Sequence, residues 1–117
     1  MTKTLTLYHN PQCTKSRQTL DLLREHNREP EIIEYLQTPP DAATLKKLLT
    51  LLKMAPRDLM RKKETLYKKL NLNDDTLDDD TLIKAMITHP ILIERPIVVY
   101  GNKASIGRPP EQVLSIL

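Results

Sequence analysis

The fold of this chain is decided by the stretch Leu5-Thr6-Leu7-Tyr8-His9-Asn10-Pro11-Gln12-Cys13-Thr14-Lys15-Ser16-Arg17. Polar and apolar residues alternate over residues 3–8, which is the pattern of a β-strand. The Asn10-Pro11 dipeptide then breaks the strand, and a helix with one apolar face is predicted from Thr14 to His26. Cys13, the single cysteine of the sequence, therefore falls at the junction between a strand and a helix.

A thiol at this junction is favoured as a thiolate. The first N–H groups of a helix have no partner within the helix, and the helix dipole places partial positive charge at the same end. Lys15 and Arg17 add positive charge nearby. A free thiol has a pKa of about 8.5, and such surroundings lower it. The alternative is that Cys13 is a small buried apolar residue, but its polar, turn-rich surroundings favour a reactive thiol.

Two polar neighbours of Cys13 are candidate supporting residues. Ser16 lies where a second cysteine would complete a Cys-x-x-Cys pair. Its hydroxyl can donate a hydrogen bond to the thiolate but cannot resolve a mixed disulfide, so a covalent intermediate on Cys13 needs a thiol from another molecule. His9 is predicted either to tune the thiol or contact an anion, or to hold the Asn10-Pro11 turn.

Length and composition restrict the class of protein. A chain of 117 residues can form one domain with its own apolar core. One cysteine cannot form an internal disulfide, no apolar run approaches the length of a membrane span, and no signal peptide is visible. We therefore predict a cytoplasmic protein with no membrane partner.

Other ligand classes are disfavoured by the same counts. The net charge of +3 is mild, the basic residues are spread along the chain, and the four tyrosines are its only aromatic residues, so nucleic-acid binding has little support. The spacing of the histidines and the cysteine does not indicate a metal site. The acidic run over residues 74–80 is interpreted as helix capping and a solvated loop.

The first part of the chain predicts a βαβ unit. A second strand over residues 31–36 follows the helix, and two strands joined in this way are parallel with a right-handed crossover. A helical block then begins at the N-cap Asp41. A further helix begins at Pro56, and another carries a predicted buried face made of Leu82, Ile83, Met86 and Ile87.

The last part of the chain predicts a hairpin and a helix. Residues 96–100 form a strand, Gly101-Asn102 a tight turn, residues 103–106 the partner strand, and Pro109 opens a short final helix. The predicted fold is α/β, with a four-stranded mixed sheet in the order βαβ…ββα. It forms a single domain over residues 1–117, with a helical insertion over about 41–89.

Three arginines are candidates for binding an anion. Arg95 precedes a sheet strand and Arg108 follows one, so both can approach Cys13, and Arg61 can reach over from the insertion. Arginine forks commonly hold tetrahedral oxyanions. Composition alone does not separate these three from surface arginines.

Five ordered motifs spanning essentially the whole chain closely resemble the arsenate reductases of the ArsC family, the glutaredoxin-dependent enzymes of thioredoxin-like fold. The pattern is also similar to that of a subgroup of short, housekeeping ArsC-like proteins. The motifs are His9-Asn10-Pro11-x-Cys13-x-x-Ser16-Arg17, Tyr35-Leu36-x-x-Pro39-Pro40, Leu59-Met60-Arg61-Lys62, His89-Pro90-Ile91-Leu92-Ile93-x-Arg95-Pro96-Ile97-Val98-Val99 and Gly107-Arg108-Pro109.

The resemblance implies a mechanism and a set of site residues. Cys13 is implied to be the nucleophile that forms a thioarsenate with arsenate, and Arg61, Arg95 and Arg108 to hold the oxyanion. Glutathione, as co-substrate, is implied to attack the adduct, and glutaredoxin to take over the glutathione before arsenite leaves. No tightly bound cofactor is implied. The thioredoxin-like fold also leads us to predict a cis Arg95-Pro96 bond, a minority state for X–Pro.

Two other functions are compatible with parts of this pattern. One is a transcriptional regulator similar to Spx, an ArsC-like protein that binds RNA polymerase. Such regulators typically carry a Cys-x-x-Cys switch, and Ser16 replaces its second sulfur here. The other is a general glutathione-linked thiol oxidoreductase, for which the arginines would be incidental.

Overall fold

The computed structural model describes residues 3–117. Two 3-10 helices, Pro90–Leu92 and Pro110–Ile116, accompany the strands and α-helices. In chain order the strands and α-helices are β1 (Leu5–Tyr8), α1 (Thr14–Glu25), β2 (Glu31–Ile33), α2 (Ala42–Leu52), α3 (Pro56–Leu59), α4 (Thr65–Lys69), α5 (Asp79–Thr88), β3 (Ile97–Tyr100) and β4 (Lys103–Ile106).

The four strands form one mixed sheet in the order β2-β1-β3-β4. β1 is parallel to β2, with Leu7 opposite Ile32, and antiparallel to β3, with Leu7 opposite Val98. β3 and β4 form an antiparallel hairpin that turns at Gly101, whose φ of +62° favours glycine. The predicted βαβ…ββα order and the mixed sheet are confirmed.

The chain divides into two compact units, of which one contains the sheet and comprises residues 3–38 and 95–117. The period of two in β1 buries Leu5 and Leu7, while Thr6 and Tyr8 are partly exposed. The core of this unit also contains Leu23 from α1, Val98 from β3 and Val113 from the terminal 3-10 helix. This core packs the second half of α1 against the central strands β1 and β3.

The other unit comprises residues 39–94 and contains α2 to α5. Asp41 caps α2 by accepting the Thr44 N–H at 2.8 Å, and Asp78 caps α5 by accepting the Thr81 N–H at the same distance. Both carboxylates have a lowered pKa: the Thr81 side chain and backbone lower that of Asp78, and the Thr44 backbone and side chain lower that of Asp41. The predicted N-caps are thus present. The limits of this unit, residues 39–94, are wider than those of the insertion of about 41–89 predicted from the sequence. That the chain is a single domain stays a prediction.

Three predicted elements differ from the structure. β2 ends at Ile33, not at residue 36, because the chain turns at Glu34, whose carbonyl accepts the N–H groups of Gln37 and Thr38. The final helix is a 3-10 helix that begins at Pro110. Ile87 is only partly buried, whereas the other three residues of the predicted α5 face are buried.

Candidate active site

Cys13 is the N-cap residue of α1 and is 9% exposed. A turn at Asn10 places Cys13 at this N-cap position. The Asn10 carbonyl accepts the Cys13 N–H and the Asn10 side chain accepts the Gln12 N–H, both at 3.0 Å. The Cys13 carbonyl accepts the first helical bond, from the Arg17 N–H. The sulfur therefore lies beside the unpaired N–H groups of the first turn.

His9 and Ser16 form a buried pair behind this loop. The His9 Nδ1 atom lies 2.6 Å from Ser16 Oγ, and the Asn10 N–H donates to the same oxygen at 3.0 Å. The Ser16 oxygen accepts from Asn10, and the tautomer of the neutral ring decides whether the hydroxyl donates to Nδ1 or accepts from it. Burial lowers the pKa of His9, and Arg24 and Arg17 lower it further, against an opposing effect of Glu34.

This pair corrects one expectation about Ser16. Its hydroxyl was expected to donate to the Cys13 thiolate, but it is bonded to His9 and Asn10 instead. The backbone N–H of Ser16, and not its hydroxyl, stabilises the thiolate and lowers the pKa of Cys13. Of the two roles considered for His9, its hydrogen bond supports the holding of the Asn10-Pro11 turn.

The pKa of the Cys13 thiol is lowered from that of a free thiol. Burial alone would raise this pKa, but it is outweighed by a hydrogen bond from Arg95, by the Ser16 and Lys15 N–H groups, and by the charge of Arg95. The predicted direction is confirmed.

The source of the positive charge differs from the expectation. The Lys15 contribution comes from its backbone N–H. The Arg17 guanidinium donates to the Pro11 carbonyl at 3.0 Å and to Thr14 Oγ1 at 3.4 Å. Arg95, distant in sequence, supplies the cation that lies against the sulfur.

Arg95 directly precedes Pro96, and the bond between them is cis, as predicted. Besides Cys13, its guanidinium interacts with Tyr35. Its Nε and Nη1 atoms are buried and have no hydrogen-bond partner among residues 3–117. An arginine has five N–H donors, so this one retains buried donors that can take an anionic oxygen beside the thiolate.

Arg108 is joined to Arg95 through the backbone. Its Nε donates to the Arg95 carbonyl at 2.9 Å, and its side chain is exposed. The Arg108-Pro109 bond is also cis, which the sequence did not predict. Gly107, just before it, donates its N–H to the Pro96 carbonyl at 2.9 Å.

Arg61 belongs to the unit formed by residues 39–94. Its Nε donates to Glu64 at 3.1 Å, and its Nη1 lies 3.7 Å from a Glu94 carboxylate oxygen. That Nη1 atom is buried without a hydrogen-bond partner in the described part of the chain. Its role toward Cys13 stays a prediction.

Tyr35 was not predicted as a site residue. It is 2% exposed, and it interacts with Arg95. The available signal was the motif Tyr35-Leu36-x-x-Pro39-Pro40, in which Tyr35 is the one aromatic residue.

Residues 3–117 lack two further features. They contain no group of three or more His, Cys, Asp or Glu side chains arranged to hold a metal ion. They also contain no helix with the length and apolar character that crossing a membrane requires.

Residues 8–116 match the model of the ArsC family. The chain belongs to the ArsC family. It is 46% identical to an arsenate reductase of Neisseria meningitidis over 112 residues, covering 95% of this chain and 96% of the relative. It is 59% identical to the uncharacterized protein YfgD of Escherichia coli, covering 100% of this chain and 99% of that protein.

The solved structure of an arsenate reductase from Vibrio cholerae superposes with a TM-score of 0.97, at 52% identity over the full length of both chains. The ArsC assignment and the thioredoxin-like α/β fold that the motifs implied are thereby confirmed.

Proposed function

We propose that this ArsC-family protein reduces arsenate to arsenite, with Cys13 as the nucleophile. The observation that carries the proposal is the Arg95 guanidinium. It lowers the pKa of the Cys13 thiol and keeps two buried nitrogens, Nε and Nη1, without hydrogen-bond partners in the described chain. Buried donors of this kind are costly to leave unpaired, and a tetrahedral oxyanion would satisfy them. The ArsC relatives named arsenate reductase support this choice of oxyanion.

The positive charge of Arg95 also reduces the repulsion between the Cys13 thiolate and the anion. Arsenate resembles phosphate, with roughly −1.5 to −2 charges near neutral pH. A thiolate that attacks it meets like-charge repulsion, so a fixed cation is needed both to neutralise the substrate and to align the arsenic with the sulfur. Arg95 fulfils both requirements in this proposal, with Arg108 and Arg61 as the further arginines.

The reaction balances with two external thiols. The Cys13 thiolate forms a bond to arsenic(V) and one arsenic-bound oxygen leaves as water after protonation. The thiol of glutathione then bonds to the same arsenic and a second oxygen leaves as water. Attack of another thiol on the glutathione sulfur forms a disulfide, and two electrons pass to arsenic. Hydrolysis of the bond between Cys13 and arsenic(III) then releases arsenite.

The external thiols follow from the sequence around Cys13. Ser16 lacks a sulfur and its hydroxyl is occupied by His9, so the loop contains no resolving group of its own. We infer that glutathione resolves the adduct and that glutaredoxin takes over the glutathione. The cytoplasm, where glutathione is kept reduced, is the compartment that suits this chemistry.

The test is an arsenate-reduction assay with glutathione and glutaredoxin. The wild-type protein is expected to release arsenite, Cys13→Ser to release none, and Arg95→Ala to be strongly impaired. Arg24→Ala is the matched control, since Arg24 lies on α1 but pairs with exposed Glu29. Absence of arsenite from the wild-type protein would reject the proposal. Disulfide exchange without arsenite would favour the general oxidoreductase, and retention of RNA polymerase in a pull-down would favour the regulator.

A further inference from the structure

Arg61 is held at three points by residues of its own unit, residues 39–94. Its backbone N–H donates to the Leu92 carbonyl at 2.7 Å, and its carbonyl accepts the Glu64 N–H at 3.2 Å. The side chain is fixed as well, because Nε donates to a Glu64 carboxylate oxygen at 3.1 Å. The backbone and the inner end of the guanidinium are therefore bonded, and Glu64 takes part in two of the three bonds.

The outer end of the same guanidinium has an unbonded nitrogen. Nη1 of Arg61 is buried and has no hydrogen-bond partner in the described part of the chain. A Glu94 carboxylate oxygen lies 3.7 Å from it, which is too far for a hydrogen bond although the two charges still attract each other. A buried donor is costly to leave unpaired, so this end of the side chain suits an oxygen supplied by a ligand.

Glu64 occupies a position at which a carboxylate commonly caps a helix. It is the N-cap residue of α4, yet its side chain makes no capping hydrogen bond. Asp41 and Asp78, at the N-caps of α2 and α5, each accept an N–H of the first helical turn. The longer Glu64 side chain accepts from Arg61 instead. Its carboxylate therefore orients an arginine and does not stabilise the helix that it precedes.

We propose that Glu64 is a positioning residue, whose carboxylate holds Arg61 at Nε so that Nη1 stays directed to an oxygen of the oxyanion. An arginine loses rotamer entropy when it binds a ligand, and a side chain that is oriented beforehand loses less. This inference rests on the proposed function, in which Arg61 binds arsenate, and extends it to a residue that acts through Arg61.

Two conservative variants separate positioning from helix capping. Glu64→Gln keeps the length of the side chain and an acceptor oxygen for Nε, whereas Glu64→Asp keeps the charge and is the better N-cap but is one methylene too short. Positioning predicts that Glu64→Asp raises KM for arsenate about three- to tenfold, with kcat less affected, and that Glu64→Gln stays within about twofold of wild type. Glu64 is partly exposed, so both variants should fold, which thermal unfolding checks.

Glu29→Asp is the matched control, because Glu29 also accepts from an arginine Nε, that of Arg24 at 2.9 Å, but on the exposed surface. It is expected to leave KM unchanged. If Glu64 acts through Arg61, Glu64→Asp has no further effect on KM once Arg61→Ala is present. An equal rise with and without Arg61, or a larger rise in Glu64→Gln than in Glu64→Asp, would overturn the inference.

Anion binding without turnover distinguishes a failure of this inference from a failure of the proposed function. Calorimetric titration of arsenate into Cys13→Ser protein, with and without Glu64→Asp, measures Kd with no thiol to react, and Kd is expected to rise as KM does. That rise without arsenite release by the wild-type protein would reject the proposed reduction and support the role of Glu64. Arsenite release with unchanged KM and Kd in Glu64→Asp would overturn the inference alone. Absence of both arsenite release and arsenate binding would overturn both.

Discussion

The Nδ1 atom of His9 lies 2.6 Å from the hydroxyl oxygen of Ser16, so the end of β1 and the first turn of α1 are joined behind Cys13. The Asn10 N–H shares this oxygen. The hydroxyl that was expected on the sulfur thus holds the loop that presents the sulfur.

Ser16→Ala is expected to destabilise the protein by about 1–3 kcal/mol, because it leaves the buried Asn10 N–H and the His9 ring nitrogen without a partner. Urea denaturation measures the free energy of unfolding. Ser115→Ala is the control, since its exposed hydroxyl donates only to the Gln112 carbonyl. Equal losses in the two variants would contradict the role given to Ser16.

The pH dependence of stability should carry a contribution from His9. Burial lowers its pKa below the ordinary 6.5, so below that pH the unfolded chain binds this proton more readily than the folded protein. The free energy of unfolding is therefore expected to decrease as the pH falls below 6.5, until the folded protein is protonated as well.

His9→Asn should remove this dependence, while exposed His26→Asn should keep it. The helix-capping carboxylates add to the dependence only below about pH 5, where the unfolded chain begins to take up their protons, so the His9 effect is measured above that pH. Denaturation curves across this range measure the effect, and a slope unchanged in His9→Asn would refute the assignment.

The alkylation rate of Cys13 should have its midpoint below about pH 8.5, the value for a free thiol. Arg95→Ala is expected to raise the midpoint, because it removes both a hydrogen bond and a charge. Lys15→Gln is expected to leave it unchanged, since the Lys15 contribution comes from its backbone. A larger effect of Lys15→Gln than of Arg95→Ala would restore the sequence-based interpretation.

Arginine variants test the anion site of the proposed function. Alanine at Arg61, Arg95 or Arg108 is expected to weaken arsenate use by about 1.5–3 kcal/mol, the scale of a hydrogen bond to a charged group. Lysine should restore only part, because it lacks the planar fork. Values of kcat/KM measure the loss. The Arg95 and Arg108 losses should not add, since both side chains are proposed to hold the same anion.

Gly107→Ala should destabilise the protein because an added Cβ has no space, and not because of the backbone φ angle. An added Cβ would lie 2.8 Å from Pro96 Cγ and closer still to Thr19 Oγ1. Overpacking of this kind costs about 1–3 kcal/mol. Thermal unfolding measures the loss, and Thr19→Ala in the same chain should recover part of it. No loss in Gly107→Ala would mean that the hairpin and α1 separate easily.

The elements with local signals could be predicted from the sequence. Asp41 and Asp78 each precede a helical pattern of apolar residues, and each caps the helix that follows. Gly101 marks the hairpin turn. The end of β2 could not be predicted in this way, because the apolar run over residues 31–36 fits a longer strand. The strand instead ends before the turn at Glu34, and Tyr35 is buried and interacts with Arg95, which is distant in sequence.

The candidate site could likewise be predicted only in part, where its residues are close together in sequence. Cys13 was predictable because the strand, the turn and the helix that place it are adjacent in sequence. Lys15 and Arg17 seemed to supply its positive charge through proximity in the chain, but Arg17 bonds to the turn and Arg95 replaces both. That replacement depends on the pairing of β1 with β3, which spacing alone does not reveal.

The sheet has two open edges, and both discourage strand addition by other molecules. β2 has three residues and directly follows Pro30, while β4 has four, begins with exposed Lys103 and is soon followed by Pro109-Pro110. Short edges with lysine and flanking proline present few backbone groups in register to a foreign strand. β1 and β3, the strands next to the candidate site, occupy the centre, so we expect the protein to have little tendency to aggregate through its sheet when crowded or concentrated.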